Sequence, residues 1–502
     1  MPMKRRRFLQ MAGIGLAAAG CTPLLRAGSA ADRPNIVYIM ADDLGYGDLH
    51  CLNPASTIPT PHLDRLAASG MTFTDAHSPS AVCTPTRYGV VTGRYSWRGR
   101  LKRGVLFGYS EPLIEKGRPT VASILKTRGY TTGVVGKWHL GLGWPLKPGG
   151  KKEDIDYTRP VTQGPNAYGF DYAYVIPASL DMPPYVYIDN GQVVEPATAR
   201  AKGRPFPAYM RAGPRSPGFN HIETLDHLLG KATGFIAKQA REPDPFFLYF
   251  ALTTPHKPVL PATRFQAKSG LGPYGDFIMQ VDWTVGQVVD ALVKARVRDN
   301  TLVIVTSDNG SFMFRYPAGK KDHVDDAGIQ GYRPEHHTSA YVFRGTKADI
   351  YEGGHHVPWI VSWPGTVKAG STCRATICHV DLTATCAAVA GADLPAEAAE
   401  DSFNTLPLML GQDGAARRPP VVHHSANGTF AIRDGKWKLV FSSGSGGREK
   451  PSGKPFDTPY RLFDMEADIR ETTDVAAKHP EVVQRLTQTL EAFRQSGRSR
   501  PA

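Results

Sequence analysis

Cys83, Pro85 and Arg87 occupy alternate positions at the head of the run Cys83-Thr84-Pro85-Thr86-Arg87-Tyr88-Gly89-Val90-Val91-Thr92-Gly93-Arg94. Proline is tolerated in the first turn of a helix, where its missing N–H is not needed, so the run reads as a helix starting at the cysteine. The sulfur then sits in the positive field of a helix N-terminus with Arg87 one turn along, and both would stabilise a thiolate. A cysteine-dependent phosphatase loop requires an arginine six positions after the cysteine to fork around the phosphate oxygens. Gly89 holds that position, so this chemistry is set aside.

Two apolar runs end in oxygen donors. Residues 34–40 read as a strand buried on both faces and lead into Asp42-Asp43, and residues 301–306 lead into Asp308-Asn309-Gly310. Open parallel sheets bind ligands beyond the carboxyl ends of their strands, so the two ends face one crevice if the strands are neighbours. Asp42, Asp43, Asp308 and Asn309 offer hard oxygen ligands only, which suits calcium or magnesium; calcium tolerates the irregular geometry of two separate loops. Either pair taken alone is equally ordinary turn chemistry.

Two more apolar runs finish similarly: residues 130–135 precede Gly136-Lys137-Trp138-His139, and residues 246–252 precede Thr253-Thr254-Pro255-His256-Lys257-Pro258. Single cations or imidazoles at strand tips are usually solvated loop residues. Four strands that all end in metal-type or anion-type groups point to one site. A fifth element, Arg344-Gly345-Thr346-Lys347 through Glu352-Gly353-Gly354-His355-His356, has glycines that admit close backbone approach and precedes a strand over 359–363.

With 502 residues, 41% hydrophobic and 10% aromatic, the chain is ordinary globular protein, enough for one large unit and a smaller one. Residues 1–31 differ. Lys4-Arg5-Arg6-Arg7-Phe8-Leu9 precedes an apolar stretch, 11–20, too short to span a bilayer. They read as an export signal of twin-arginine type, with a plain secretory signal as the alternative, and imply a periplasmic or secreted product. Cleavage fits near Gly28-Ser29-Ala30; Ala18-Ala19-Gly20-Cys21 offers a rival lipid-anchoring end at Cys21.

Beyond Cys21 and Cys83 remain Cys51, Cys373, Cys378 and Cys386, which either form one local bridge or stay as buried thiols. The formal charge of +13 includes five cations of the leader, so the remainder is moderately basic and suits an anionic substrate. No basic cluster is interleaved with aromatics, so nucleic acid is not an expected partner.

Taken in order, Asp-Asp after the first strand, Cys-x-Pro-x-Arg, Gly-Lys-Trp-His, Pro-His, Ser-Asp-Asn-Gly and Lys-x-x-x-Tyr-Glu-Gly-Gly-x-x-Val-Pro resemble the type I, formylglycine-dependent sulfatases over about residues 34–475. The resemblance implies that Asp42, Asp43, Asp308 and Asn309 hold a calcium ion together with residue 83. It also implies that a maturation enzyme oxidises Cys83 to formylglycine. One hydroxyl of the hydrated aldehyde attacks sulfur and the other lets sulfate be eliminated. Arg87 is expected to hold the formylglycine, Lys137 and Lys347 to grip sulfate oxygens, His139 to assist the hydroxyl and His256 to protonate the leaving oxygen. Asp181 and Ser179 are candidate substrate-binding residues on a proline-rich loop. His355-His356 departs from the pattern, since many members carry arginine or another residue there.

The implied fold is α/β: an alkaline phosphatase-like mixed sheet between helices over 32–411, then a small antiparallel sheet and helix over 412–502. Thr429 to Val440 reads as a hairpin turning at Asp434-Gly435, and Pro480 opens a final amphipathic helix. The expected substrate is a sulfated carbohydrate. The alternatives are a phosphonate or phosphate ester hydrolase, and a non-catalytic protein that binds a sulfated glycan with Cys83 unmodified.

Overall fold

A computed structural model of the chain describes residues 33–412 and 418–501. The expected leader, its cleavage site and Cys21 lie outside the described residues. Among the described residues one sheet has ten strands: β1 Asn35–Asp42, β2 Met71–Phe73, β3 Thr131–Lys137, β4 Tyr172–Ile176, β5 Ile188–Asp189, β6 Gln192–Val193, β7 Phe246–Pro255, β8 Thr301–Ser307, β9 Trp359–Ser362 and β10 Ser371–Cys373. Their spatial order is β10-β2-β9-β8-β1-β7-β3-β4-β5-β6. From β8 through β1, β7 and β3 to β4 every pairing is parallel, so these five carboxyl ends share one edge.

β1 shows why the sheet lies inside the molecule. All eight of its residues are buried, with Ile36, Tyr38 and Met40 in one apolar cluster and Val37, Ile39 and Ala41 in another. The alternation of side chains along a strand sends these sets to opposite faces. Helices α2 Cys83–Thr92, α3 Val121–Lys126 and α6 Leu382–Ala390 supply the first cluster. Helices α1 Pro61–Ala68, α4 Thr224–Gln239 and α5 Gly272–Lys294 supply the second. Each Val or Ile buried this way contributes about 1.5–3 kcal/mol, which fixes the register that places the strand ends.

A second sheet has four antiparallel strands, β11 Val421–His424, β12 Phe430–Asp434, β13 Trp437–Val440 and β14 Arg461–Asp464. Helix α7, Pro480–Ser496, packs Val482, Leu486 and Leu490 against Val422, Ile432, Leu439 and Leu462 of this sheet. Asp434 pairs with Trp437, so the two-residue hairpin loop is Gly435-Lys436, one residue later than expected. Gly435, at φ +57°, supplies the left-handed conformation that such a turn needs. Cys51, Cys83, Cys373, Cys378 and Cys386 are all free thiols, with Cys378 and Cys386 buried and Cys51 and Cys373 half-buried.

Candidate active site

The end of β1 is the hub of the site. The backbone N–H of Asp308 donates to Ala41 O at 3.0 Å and that of His256 to Asp42 O at 2.9 Å, tying the loops after β8 and β7 to it. β3 brings Lys137 in from beyond β7, and Gly136 permits this because a Cβ there would stand 1.8 Å from Ala251 O. β9 runs antiparallel to β8, so the loop that precedes it, with Lys347, reaches the same edge. That loop is bound on both sides: Lys347 N donates to Ser311 O and Ala348 N to Ala81 O, each at 2.8 Å. Asp43 and His139 leave their strands with φ of 67° and 55°, a left-handed backbone that costs about 1 kcal/mol in a non-glycine residue.

Cys83 is the first residue of α2, as the sequence implies, and Gly93 closes the helix at φ 64°. Its Sγ lies 3.1 Å from Lys347 Nζ, and the same ammonium is 2.6 Å from Asp43 Oδ1. Lys137 Nζ contacts both oxygens of Asp42, at 2.9 and 2.7 Å. Arg87 donates from Nε and Nη2 to Asp308 Oδ2 at 3.1 and 2.7 Å, and from Nη1 to the Lys137 carbonyl at 3.1 Å. Arg87 thus anchors Asp308. Asp308 Oδ1 accepts from Asp43 N at 3.1 Å, and Asn309 Nδ2 donates to Asp43 Oδ1 at 2.7 Å.

Asp42, Asp43, Asp308, Arg87 and Lys137 are fully buried, so three carboxylates face three cations, the third being Lys347. Burial pushes Asp42 up to about 7 even with Lys137 beside it. Burial also opposes charge on Asp308, but Arg87 and Lys137 outweigh it and hold that carboxyl below its ordinary value. For Lys347 the burial penalty is overcome by Asp43 and the Cys83 sulfur, which raise its pKa. Asp43 Oδ2 and Asn309 Oδ1 are buried without a hydrogen-bond partner. Ligand atoms of Asp42, Asp43, Cys83 and His256 all lie within 4.8 Å of one another. Two orphaned oxygens within a cluster of acidic side chains are what a hard divalent cation needs, so the residues present fit calcium.

His139 Nε2 lies 2.8 Å from Leu106 O, which can only accept, so the ring proton sits at Nε2. Its Nδ1 is a buried lone pair without a partner. Burial, then Lys137 and Arg87, lower its pKa well below the ordinary value, which keeps the ring neutral. His256 Nδ1 faces Lys257 O at 2.6 Å, leaving Nε2 toward Asp43 Oδ2 at 3.7 Å. Burial and the neighbouring Lys347 and Lys137 hold it neutral as well.

Asp181 and Ser179 reach this edge on the loop after β4. Asp181 Oδ1 stands 3.9 Å from His256 Nδ1, its Oδ2 pairs with Arg211, and both Asp181 Oδ1 and Ser179 Oγ are buried without hydrogen-bond partners. Arg211, Lys257 and Arg448 are cations that the sequence reading missed. Lys257 was visible in the His256 motif; burial and then Arg448 and Lys347 lower it to about 8. Arg448 has no local signal, because it arrives on a Gly/Ser-rich loop from the second sheet.

His355 and His356 are not in the crevice. They lie beneath the Cys83 loop in a buried cluster with His77, His423, Glu352, Lys438 and Glu471. The same region clamps the loop ahead of Cys83 to the second sheet, since Ala81 N and Ser80 Oγ both donate to His424 O at 2.9 Å.

A family model described as sulfatase matches residues 34–392. An N-acetylgalactosamine-6-O-sulfatase of Bacteroides thetaiotaomicron is 37% identical, the match covering 96% of this chain and 97% of that protein. Human arylsulfatase A is 34% identical over 92% and 88% of the two chains. A solved structure from a study of glycosaminoglycan metabolism in Bacteroides thetaiotaomicron superposes with a TM-score of 0.80 at 35% identity, covering 92% of this chain and 100% of that one.

Proposed function

Because the chain belongs to the sulfatase family, we propose that this sulfuric ester hydrolase acts on sulfated carbohydrate, specifically on a 6-sulfated N-acetylgalactosamine residue of glycosaminoglycan type. The sugar assignment comes from the 37% identical relative, whose similarity runs through nearly the whole of both chains. The observation that carries the chemistry is Cys83 Sγ 3.1 Å from Lys347 Nζ, at the edge of a buried cluster of three carboxylates and three cations. Relatives that are sulfatases over most of their length leave the non-catalytic alternative without support.

Burial pushes the Cys83 thiol up to about 11, so the unmodified side chain is a poor nucleophile at neutral pH. Matured to an aldehyde and hydrated, residue 83 would supply an oxygen nucleophile and a second hydroxyl through which sulfate is expelled. Asp42, Asp43, Asp308, Asn309 and residue 83 would hold calcium, which supplies Lewis-acid stabilisation of sulfate charge. The three carboxylates and three cations balance, so a divalent ion leaves the site net positive and selects an anion.

Lys347 and Lys137 grip sulfate oxygens, and Arg87 keeps Asp308 in place. His139 accepts a proton at its free Nδ1. His256 delivers one from Nε2 to the leaving oxygen, and the negative charge of a bound sulfate ester favours the protonated ring. Asp181 and Ser179 offer unpartnered oxygens to sugar hydroxyls. We assign residues 32–411 to the catalytic unit and 412–502 to a C-terminal subdomain, and expect export through the leader. No described helix is long and apolar enough to cross a membrane.

The test is a set of sulfated N-acetylgalactosamine and N-acetylglucosamine sugars with the ester moved one position at a time. The highest kcat/KM is expected on galactosamine 6-sulfate. A preference for another position or sugar replaces the substrate assignment, and hydrolysis of aryl sulfates alone removes the carbohydrate reading.

A further inference from the structure

A basic pocket of about 630 Å³ opens beside the loop that carries Lys347. Its lining includes Arg315, Arg344, Arg448 and Arg470, together with His337 and Ser339. Arg344 is paired with Glu449 at 2.5 and 2.8 Å. Arg315, Arg448 and Arg470 make no ion pair among the described residues: the Arg448 guanidinium donates to Phe312 O at 3.2 Å, its backbone N–H donates to Oδ1 of Asp349, which also lines the pocket, and Arg315 donates to Tyr341 O. Arg315 and Arg470 are exposed. Three guanidinium groups without carboxylate partners around one cavity repel each other unless an anion joins them, and the planar fork matches carboxylate and sulfate oxygens.

Two further polar side chains complete the pocket. His337 is 4% exposed and lies 2.8 Å from Asp48 Oδ1 through Nε2, so its proton is there and its Nδ1 is an acceptor. That Nδ1 has no partner, and neither has the Oγ of Ser339, also 4% exposed. Buried polar atoms are normally bonded, and two orphans lining one cavity imply hydroxyls that come with a ligand.

The pocket shares a wall with the reaction site. Thr346 lines it and precedes Lys347, whose N–H donates to Ser311 O, while Arg448 holds the next carbonyl, that of Phe312. The Phe312 ring in turn lies 6.3 Å from the His256 ring. The pocket therefore lies against the same loop that carries Lys347 to Cys83.

We propose that this pocket is a subsite for an acidic sugar, bearing a carboxylate or a sulfate, that neighbours the residue whose sulfate is hydrolysed. The proposal rests on the carbohydrate reading above. Arg315, Arg448 and Arg470 bind the acidic group, and His337 Nδ1 and Ser339 Oγ bind hydroxyls.

The experiment compares wild type with the Arg315→Ala/Arg470→Ala double variant on four substrates of matched cleaved residue: the sulfated monosaccharide, and oligosaccharides whose neighbouring sugar is neutral, carboxylated or sulfated. A charge-assisted hydrogen bond contributes about 1.5–3 kcal/mol, so wild type should favour an acidic neighbour by roughly tenfold or more in kcat/KM. The double variant should lose that preference through KM and keep the wild-type rate on the monosaccharide, which also reports that it is folded. The carboxylated and sulfated arms identify the recognised group. Wild-type rates of the double variant on every acidic substrate, or equal losses on all four, overturn the subsite. If wild type turns over an aryl sulfate but none of the sugars, the carbohydrate reading fails and takes the subsite with it.

Discussion

The Lys347 ammonium touches Cys83 Sγ at 3.1 Å and Asp43 Oδ1 at 2.6 Å, so a single buried cation joins the nucleophile position to the acidic cluster. In the chemistry proposed above, this is where the charge of the sulfate develops.

Lys347→Met should therefore lower kcat/KM by about a hundredfold or more, the loss typical of one preorganised donor at a reacting centre. Lys347→Arg should recover part of it. Thermal unfolding of each variant separates this from a folding defect; wild-type rates in the methionine variant would remove Lys347 from the chemistry.

His256→Ala should slow hydrolysis of a sulfated sugar far more than that of a nitrophenyl sulfate, because an activated phenol departs without a proton and a sugar alkoxide does not. The checking quantity is the ratio of the two losses. Equal losses would make His256 a brace for its loop, through the Nδ1 contact to Lys257 O.

Asp42, Asp43, Lys137, His139, His256, Asp308 and Asn309 were legible because each stands at or just beyond the end of an apolar strand, and four parallel strands in adjacent register can only deliver their ends to one edge. The antiparallel entry of β9 explains why the Lys347 motif joins them from a loop that precedes its strand. Contacts between distant loops left no such pattern. Nothing in the Cys-x-Pro-x-Arg run says that Arg87 holds Asp308, 221 positions away. Arg448 and Arg211 come from glycine- and proline-rich segments whose paths depend on tertiary packing. The His355-His356 pair, readable only as a departure from a pattern, packs under the Cys83 loop with groups from the second sheet.

Lys438 is the centre of that buried cluster, 2.9 Å from Glu352 and 2.7 Å from Glu471, with all three side chains fully inaccessible. Lys438→Met strands two carboxylates in the interior and should cost about 3–5 kcal/mol of stability by denaturant unfolding. A loss under about 1 kcal/mol would show that the cluster neutralises itself by protonation.

His379 is buried with Nε2 2.8 Å from Ser307 O and Nδ1 2.5 Å from the Tyr38 hydroxyl, and burial lowers it to about 4. An unfolded histidine titrates near 6.5, so below that pH the unfolded chain binds the proton first. The stability this group contributes is present above about pH 6.5 and is lost as pH falls toward 4, at up to about 1.4 kcal/mol per pH unit. His379→Gln should decline more shallowly than wild type when unfolding is followed from pH 7.5 to 4.5. Parallel declines would contradict the assignment.

Whether residue 83 acts as a matured aldehyde held beside Lys347 is read from the mass of the peptide containing Cys83, taken from active enzyme. Conversion of the thiol to the aldehyde lowers that mass, and the lighter fraction should rise in step with specific activity across preparations made with and without the maturation enzyme. Full activity in protein whose Cys83 peptide is entirely unmodified thiol would show that no aldehyde is needed at residue 83.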